Sequence, residues 1–413
     1  MRIGLLTQWF DPEPGPASLP GVLARGLADR GHEVRVLTGF PNYPTGRLAA
    51  GYRLSRRMDE IRDGVRVRRV ALYPSHDASA ARRLLTYASF ASSALVSGMD
   101  ALRGLDVLWV SNSPITVALP MWYARYAQRI PLVLHVLDVW PEHAEATGFG
   151  WGGPGRRIVE GCMSAWCSAM YRSAARVAHI SPGVGDLLIR RGVPAEKLRY
   201  VPMWADENRP ATSGDLRVEL GIGADQVVLV YAGTLGAAQG LDTLLDACAR
   251  LADPRLTVLI AGSGVAEDRL RAQAATAGLT NVRFLGRLPR ERMPALMAAA
   301  DACFVSLRRS VMAAYTMPSK VQATLAAGRA MLAAADGDVA AVARESGAGL
   351  TARPGDAASV ADGLRELCEL GREKLELLGR AGRAHYERAF SVAAGVRRIE
   401  AALTSAAATG RRR

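Results

Sequence analysis

The chain has 413 residues, of which 49% are hydrophobic and 22% charged, a composition typical of soluble globular proteins. This length exceeds what one hydrophobic core usually supports, so we expect two domains of ordinary size. The formal net charge of +13 favours an anionic partner, which leaves nucleic acid, an acidic membrane face or a phosphorylated ligand.

Strands and helices alternate along the chain, which predicts an α/β fold with parallel sheets. In the first half a helix is expected from about residue 19 to 30, and the strands are predicted at 2–8, 33–38, 65–73, 106–111, 131–138 and 176–181. In the second half the strands are predicted at 227–233, 256–262, 282–286, 302–307 and 330–335.

Residues 201–215 mix proline, asparagine and acidic residues and are predicted to link two domains. The helical pattern beyond Phe390 is expected to pack back across the domain junction. The predicted domains are therefore 1–205 together with a returning helix at 391–413, and 206–390. Two doubly wound domains facing each other would place their ligand loops on one central cleft.

The five cysteines lie at irregular spacings without the paired pattern of a metal site. Cys162 and Cys167 are separated by four residues and have no histidine pair nearby, so a zinc site is disfavoured. We therefore expect reduced thiols in a cytosolic protein. The apolar run after Met1 is only as long as a strand, so no secretory leader is predicted.

A basic segment precedes an uncharged one in the first half. Between Arg47 and Arg83 there are ten arginines and four acidic residues, and 84–99 carries no charge. A helix over 84–99 is too short to span a bilayer. It either packs in the domain core beside a solvated basic flank or lies on an anionic membrane surface, which would then be bound through 47–99. Nucleic acid is not expected, because no nucleic-acid-binding signature is present.

The segment 317–328 predicts an anion site. Pro318, Ser319 and Lys320 lead into an alanine-rich helix, and the unpaired amides and dipole at a helix start attract a phosphate, for which Lys320 adds a cation. The alternative is that Pro318 and Ser319 simply start a helix and Lys320 is solvated.

Glycine-rich loops upstream strengthen the prediction of an anion site. The predicted strand near 228–232 is followed by Gly233, Gly236 and Gly240, and the next strand ends in Gly262 and Gly264. Glycines let backbone amides approach a phosphate closely.

Seven segments of the chain carry a resemblance to a known family: 30–48, 64–77, 137–148, 180–184, 201–207, 231–242 and 317–328. In these segments the chain resembles bacterial family 4 glycosyltransferases of the GT-B fold, and among them the group of L-fucosamine, colanic-acid and O-antigen transferases. The resemblance implies two doubly wound Rossmann-like domains facing a central cleft, with a C-terminal helix that returns to the N-terminal domain.

The resemblance also implies a reaction. It is retaining transfer of a sugar, an N-acetylated or deoxy hexosamine, from a UDP-sugar bound by the C-terminal domain, without metal or cofactor. The implied acceptor is a polyprenyl-diphosphate-linked saccharide for surface polysaccharide, lipopolysaccharide or exopolysaccharide. The expected location is cytoplasmic, peripheral on the cytoplasmic face of the inner membrane. A UDP-sugar 2-epimerase of the same fold and a non-catalytic binding protein for a nucleotide sugar or lipid carrier remain alternatives, and the linkage formed and the oligomeric state stay open.

The resemblance carries over to the donor side with departures. Many members have a pair of glutamates near the Pro-Ser-Lys turn, where this chain has Tyr315 and Ala323, and an arginine and a lysine where it has Thr234 and Gln239. The diphosphate would then be met by Lys320, by loop amides near 233–236 and by Arg308 or Arg309. The predicted donor-binding residues are Gly233, Thr234, Leu235, Gly236, Gln239, Gly262, Pro318, Ser319 and Lys320.

The predicted catalytic residues are Asp138, Glu142 and His143. Asp138 is expected at the carboxyl end of a strand, where ligand residues of α/β proteins collect. A carboxylate near the anomeric centre would stabilise positive charge or orient the acceptor hydroxyl, whereas the alternative makes Asp138 a helix cap. Many relatives have a histidine where this chain has Leu137, and His135 is interpreted as a core residue.

The acceptor side is predicted in two loops after strands. The loop 11–16 contains three prolines that stiffen its backbone, and by resemblance it contacts a diphosphate or the acceptor. The predicted acceptor-binding residues are Glu13, Gly15, Asn42 and Tyr43.

Overall fold

The computed structural model describes residues 1–75, 79–142, 156–207, 215–310, 313 and 315–410. The chain divides into two compact units, Met1–Pro202 with Gly395–Arg413 and Met203–Ala394. The sequence analysis places the corresponding boundaries after residues 205 and 390.

The first unit is built on a sheet of eight strands with the order β3-β4-β2-β1-β5-β6-β7-β8. Neighbouring strands pair in parallel except β3 with β4, which is antiparallel. The strands are β1 (Arg2–Leu6), β2 (Glu33–Gly39), β3 (Arg57–Arg62), β4 (Val65–Val70), β5 (Val107–Ser111), β6 (Leu132–Val136), β7 (Arg176–His179) and β8 (Leu198–Tyr200). The helices are α1 (Leu19–Ala28), α2 (Ala80–Ser97), α3 (Ala118–Trp122), α4 (Arg156–Ser173) and α5 (Pro182–Arg190).

The second unit contains a sheet of six parallel strands with the order β11-β10-β9-β12-β13-β14. The strands are β9 (Val227–Ala232), β10 (Leu256–Ala261), β11 (Val282–Gly286), β12 (Ala302–Ser306), β13 (Ala330–Ala334) and β14 (Gly349–Ala352). The helices are α6 (Leu216–Glu219), α7 (Leu241–Leu251), α8 (Glu267–Thr276), α9 (Met293–Ala299), α10 (Ser319–Ala326), α11 (Gly337–Glu345) and α12 (Ala357–Ala389).

The last helix, α13 (Val392–Gly410), returns to the first unit, to which its residues from Gly395 onward belong. Its Glu400 pairs with Arg30 at 2.6 Å and with His32 at 2.8 Å. The prediction of two parallel α/β domains with a returning C-terminal helix is therefore confirmed.

Three strands were not predicted, and each lies at the edge of its sheet: β3, β8 and β14. Strand β3 alternates exposed and half-buried residues and is rich in charge, and β8 has only three residues. Edge strands need little apolar surface, so they lack the continuous hydrophobic runs of strands covered on both faces, such as β5 and β6.

His135 lies inside β6 and is completely buried. Its ring meets the Trp109 ring edge-on at 5.8 Å between centroids. Burial lowers the pKa of His135 to about 4, so the ring is neutral at physiological pH. The interpretation of His135 as a core residue fits this position.

Two of the three arginines of β4, Arg68 and Arg69, are not part of a solvated flank, whereas Arg66 is exposed. Arg69 is fully buried, with its guanidinium 4.8 Å from the Tyr52 ring centroid and an ion pair to Glu60 at 2.7 Å. Arg68 pairs with Asp59 at 2.5 Å and with Asp100 at 2.6 Å. These two cations are neutralised within the unit, so the basic surface of 47–99 is smaller than its composition indicates.

Glu13 fastens the loop after β1 to the loop after β2. Its side chain is buried, and one carboxylate oxygen accepts hydrogen bonds from the amides of Asn42 at 2.8 Å and Tyr43 at 2.9 Å. The other oxygen accepts from the amide of Phe10 at 3.0 Å. Burial raises the pKa of Glu13 to about 6, although the three amides and Arg69 act in the opposite direction.

This pKa predicts that Glu13 makes stability depend on pH. The native protein holds the Glu13 proton more tightly than the unfolded chain, so the free energy of unfolding falls as the pH rises from about 4.5 to about 6. The fall attributable to Glu13 should be about 2 kcal/mol, and Glu13→Gln, which has no such proton, should lack it. Urea unfolding of both proteins between pH 4.5 and 7.5 measures the difference in their free energies of unfolding. The contributions of the other titrating groups cancel in this difference. A difference that is constant with pH would contradict the assignment.

Candidate functional site

Lys320 lies in the first turn of α10, beside the end of β9. Its ammonium nitrogen is 5.0 Å from the ring centroid of Tyr231, which is in β9. A Cβ atom added to Gly233 would lie 2.8 Å from the same nitrogen. The glycine therefore leaves the space through which the lysine side chain passes, and the strand end and the helix start form one site.

Lys320 is a partly buried cation that forms no ion pair within the part of the chain that the structure describes. Burial lowers its pKa, since the charged form is the one that loses hydration. The whole chain has only three lysines, at 197, 320 and 374. An unpaired cation withdrawn from water is unfavourable until an anion neutralises it.

The helix start adds positive potential at the same place. Pro318 occupies the N-cap position and supplies no side-chain hydrogen bond, and α10 begins at Ser319. The amides of Ser319 and Lys320 have no carbonyl partner within the helix, as in every first turn. Unpaired amides, a helix dipole and a lysine together suit a phosphate.

The sequence predicts that the backbone amides of 233–236 bind the diphosphate, but most of them already donate hydrogen bonds within the protein. Gly233 donates to the Ala261 carbonyl at 2.9 Å and Leu235 to the Ser263 carbonyl at 3.0 Å. Gly236 donates to the side-chain oxygen of Gln239 at 3.1 Å. Three of the four amides are therefore already used, and within the described residues the amide of Thr234 is the remaining one.

Gly233 and Gly262 serve the packing of two strand ends. Both have a φ of 145°, which residues with a side chain rarely adopt. A Cβ atom on Gly262 would lie 1.8 Å from the Gly233 carbonyl oxygen. These glycines bring the ends of β9 and β10 together.

Arg308 and Arg309, the other cations considered for the diphosphate, are paired. Arg308 forms an ion pair with Asp242, and Arg309 pairs with Asp336 at 2.9 Å. Both pairs are largely exposed, but they leave Lys320 as the cation of this cluster that has no carboxylate.

The second candidate cluster lies at the carboxyl edge of the first sheet. Asp138 follows β6 and is half-buried. The Asp138 charge reaches Tyr87 of α2: burial raises the pKa of the Tyr87 hydroxyl, Arg83 lowers it and Asp138 raises it further. The ring of Trp9 meets that of Tyr87 at 6.3 Å, nearly perpendicular. Two aromatic rings, an arginine and a carboxylate therefore surround this edge.

Asn112, which follows β5, holds the backbone at Asp138. Its side-chain oxygen accepts from the amides of Leu137 at 2.8 Å and Asp138 at 3.3 Å, and its side-chain nitrogen donates to the Asp138 carbonyl at 2.7 Å. The sequence analysis missed Asn112, Tyr87 and Trp9. The position of Asn112 directly after a buried strand is the signal that could have found it.

Glu142 is engaged in the structure. It forms an ion pair with Arg191, whose guanidinium also donates to the Trp140 carbonyl at 2.7 Å. Burial lowers the pKa of Arg191, but Glu142 and Tyr171 together raise it by more, so the net direction is upward. Glu142 thus stabilises the turn that follows Asp138. The third predicted catalytic residue, His143, lies outside the described residues.

The predicted acceptor residues fall into two groups. Glu13 and Asn42 are buried, and their polar groups bond to backbone: Glu13 to three amides, and the Asn42 side chain to the Phe40 carbonyl at 2.9 Å. Tyr43 is half-buried and Gly15 is exposed. A ligand could reach Tyr43 and Gly15, whereas Glu13 and Asn42 shape the loops.

Comparisons with known proteins agree with this organisation. A glycosyl transferase 4-like domain matches residues 15–204, and a glycosyl transferases group 1 domain matches residues 213–385. WcaI of Escherichia coli (strain K12), assigned as a colanic acid biosynthesis glycosyl transferase, is 28% identical over 326 residues, which are 77% of this chain and 79% of WcaI.

Solved structures resemble the whole chain. Sucrose-phosphate synthase from Thermosynechococcus elongatus has a TM-score of 0.72 at 19% identity and covers 99% of both chains. HepE of Anabaena, solved with UDP, has a TM-score of 0.67 at 21% identity over 98% of this chain and 100% of its own. These likenesses show the fold, and the two matched domains, which cover both units, establish that the chain belongs to family 4 of the GT-B glycosyltransferases.

Proposed function

We propose that this glycosyltransferase is retaining and moves a sugar, an N-acetylated or deoxy hexosamine, from a UDP-sugar to a polyprenyl-diphosphate-linked saccharide in surface polysaccharide biosynthesis. The observation that carries the proposal is the unpaired ammonium of Lys320 at the start of α10. The assignment of WcaI to colanic acid biosynthesis supports the polysaccharide role, and structures of HepE with UDP and with UDP-glucose support the nucleotide.

On the donor side, the proposal assigns the diphosphate to Lys320, the first amides of α10 and the amide of Thr234. A diphosphate would supply the negative charge that the cluster lacks. Ion pairs with its phosphates would compensate the Lys320 ammonium for the hydration that it lost on burial. The proposed reaction requires no metal ion and no cofactor. Ala323 occupies the place of the ribose-binding glutamate of many relatives, so the ribose must be held differently here.

On the acceptor side, the proposal assigns Asp138 to the reacting centre. Its carboxylate would stabilise the positive charge that develops at the anomeric carbon or orient the acceptor hydroxyl. Trp9 and Tyr87 present aromatic surface of the kind that packs on sugar rings, and Arg83 adds a cation suited to a phosphate group.

The proposal also places the first unit on an anionic membrane. No helix among the described residues is long and apolar enough to cross a bilayer. Helix α2 packs through Phe90 and Ala94, yet Leu84 and Leu85 are each 50% exposed, and there is no acidic residue from 79 to 99. An exposed apolar face beside Arg82 and without acidic residues is suited to the interface of an anionic bilayer.

The neighbouring helix adds to this membrane face. Helix α3 packs against α2 and continues into a short π-helix, Tyr123–Ala127, in which Tyr123 and Tyr126 are 44% and 65% exposed. Tyrosines are favoured where one end of a ring is apolar and the other is wet.

Lys320→Met should lower the affinity for UDP about ten- to hundredfold, because a charge-assisted hydrogen bond to a phosphate contributes about 1.5–3 kcal/mol. The UDP-free variant should melt no lower than the wild type, because the ammonium has no counter-ion to lose among the residues that the structure describes. Isothermal titration with UDP and a thermal melt measure both, with the exposed Lys374→Met as the matched control. Equal UDP affinity in wild type and Lys320→Met would show that backbone amides alone hold the phosphates.

Asp138→Asn should lower turnover by about a hundredfold or more, since it removes the charge and keeps the size of the side chain. Release of UDP from a panel of UDP-sugars, with and without a polyprenyl-diphosphate-linked saccharide, identifies the donor and gives the rate. Products formed from the donor alone would indicate an epimerase. Full activity of a normally folded Asp138→Asn would remove Asp138 from the reaction.

Leu84→Ser with Leu85→Ser should weaken binding to vesicles of phosphatidylcholine and phosphatidylglycerol about tenfold or more, because two half-exposed leucines lose their apolar contact with the bilayer. Added salt should weaken wild-type binding by screening. Co-sedimentation measures both effects, and Val265→Ser, at a valine that is 98% exposed in the second unit, is the matched control. Vesicle binding that does not change with salt, with lipid charge or with the two leucine substitutions would contradict the proposal that this face of α2 binds the membrane.

A further inference from the structure

We infer that Asn112 is a positioning residue for the transfer reaction and acts by holding the backbone of Asp138. The inference rests on the proposed function, because it requires that Asp138 takes part in transfer. Asn112 itself is 3% exposed, so its side chain is closed off from any ligand by the residues around it.

The side chain of Asn112 continues the sheet beyond the point where two strands part. Strands β5 and β6 pair in parallel as far as Ser111 and His135, and the amide of Asn112 still donates to the His135 carbonyl at 3.0 Å. Past that bond, the side chain of Asn112 replaces the missing strand. It bonds the amides of Leu137 and Asp138 and the carbonyl of Asp138.

One side chain therefore fixes three backbone polar groups on both sides of the Asp138 Cα atom. The chain beyond Asp138 is held as well, because Arg191 donates to the Trp140 carbonyl and pairs with Glu142. The backbone is therefore held both before and after the Asp138 side chain. Catalytic groups held this closely keep the geometry that a reaction needs.

An asparagine is suited to this task because its amide offers an acceptor and a donor in one plane. Aspartate in its place keeps both acceptor bonds but loses the donor to the Asp138 carbonyl. The donor bond returns only while the new carboxyl is protonated, so this variant makes the bond to the Asp138 carbonyl depend on pH. Alanine removes all three bonds. The two substitutions therefore separate the loss of one bond from the loss of all three.

The test is a double-mutant cycle on UDP release with the donor and acceptor that support turnover of the wild type. Asn112→Ala should lower kcat about ten- to hundredfold with the donor KM changed less than about twofold. Asn112→Ala combined with Asp138→Asn should be no slower than Asp138→Asn alone, because the two residues act through one carboxylate. The control is Gln128→Ala, which removes a hydrogen bond from the Gln128 side-chain amide to the Met99 carbonyl and should keep the wild-type kcat. Gln128 lies shortly before the amino end of β6.

Asn112→Asp keeps the inference testable where Asn112→Ala folds poorly. Its kcat should fall as the pH rises and the new carboxyl loses the proton that bonds the Asp138 carbonyl, a pH dependence that asparagine cannot give and a purely structural role would not produce. A wild-type pH profile in Asn112→Asp, wild-type kcat in Asn112→Ala, or losses that multiply in the double variant would each overturn the inference while the proposed function stands. Full turnover by Asp138→Asn would instead contradict the proposed role of Asp138, and the inference with it.

Discussion

An ammonium group withdrawn from water with no carboxylate beside it is the constraint around which the second unit is arranged. Lys320 reaches over the Tyr231 ring because Gly233 has no side chain to block it. Gly233 in turn packs against Gly262, which joins the ends of two neighbouring strands. The nearby arginines have acidic partners, and Lys320 has none among the described residues. The cluster is electrostatically incomplete without an anion, and that incompleteness connects the fold to the proposed donor.

At the carboxyl edge of the sheet in the first unit, buried polar side chains form hydrogen bonds to the backbone of the loops. Glu13 joins two loops through three amides, and Asn112 holds the turn at Asp138 through two amides and a carbonyl. Loops after parallel strands have no ladder partners of their own, so side chains must satisfy their polar groups. Asp138 and Tyr43, both half-buried, are then presented by loops that are held in place.

The sequence was sufficient for the central strands and for the returning helix, because strands covered on both faces need continuous apolar runs and helices need periodic ones. It failed at three of the four edge strands, β3, β8 and β14, of which β3 is rich in charge. It predicted Gly233 and Lys320 as donor-binding residues but did not predict that the Gly233 amide is already bonded, since hydrogen bonds between loops depend on tertiary contacts. Asn112 and the buried Arg69 were missed for the same reason: neither residue type is distinguished by composition from a solvated one.

The most direct test of the central claim is the pKa of the Lys320 ammonium with and without UDP. With three lysines in the chain, NMR of protein labelled at the lysine ε-carbon gives few signals, and Lys320→Arg assigns the one in question. In the UDP-free protein this pKa should lie below the ordinary lysine value, because the ammonium is buried, and saturating UDP should raise it, because a diphosphate favours the charged form. A Lys320 pKa that stays the same when UDP is bound would contradict the claim that this cation awaits the diphosphate.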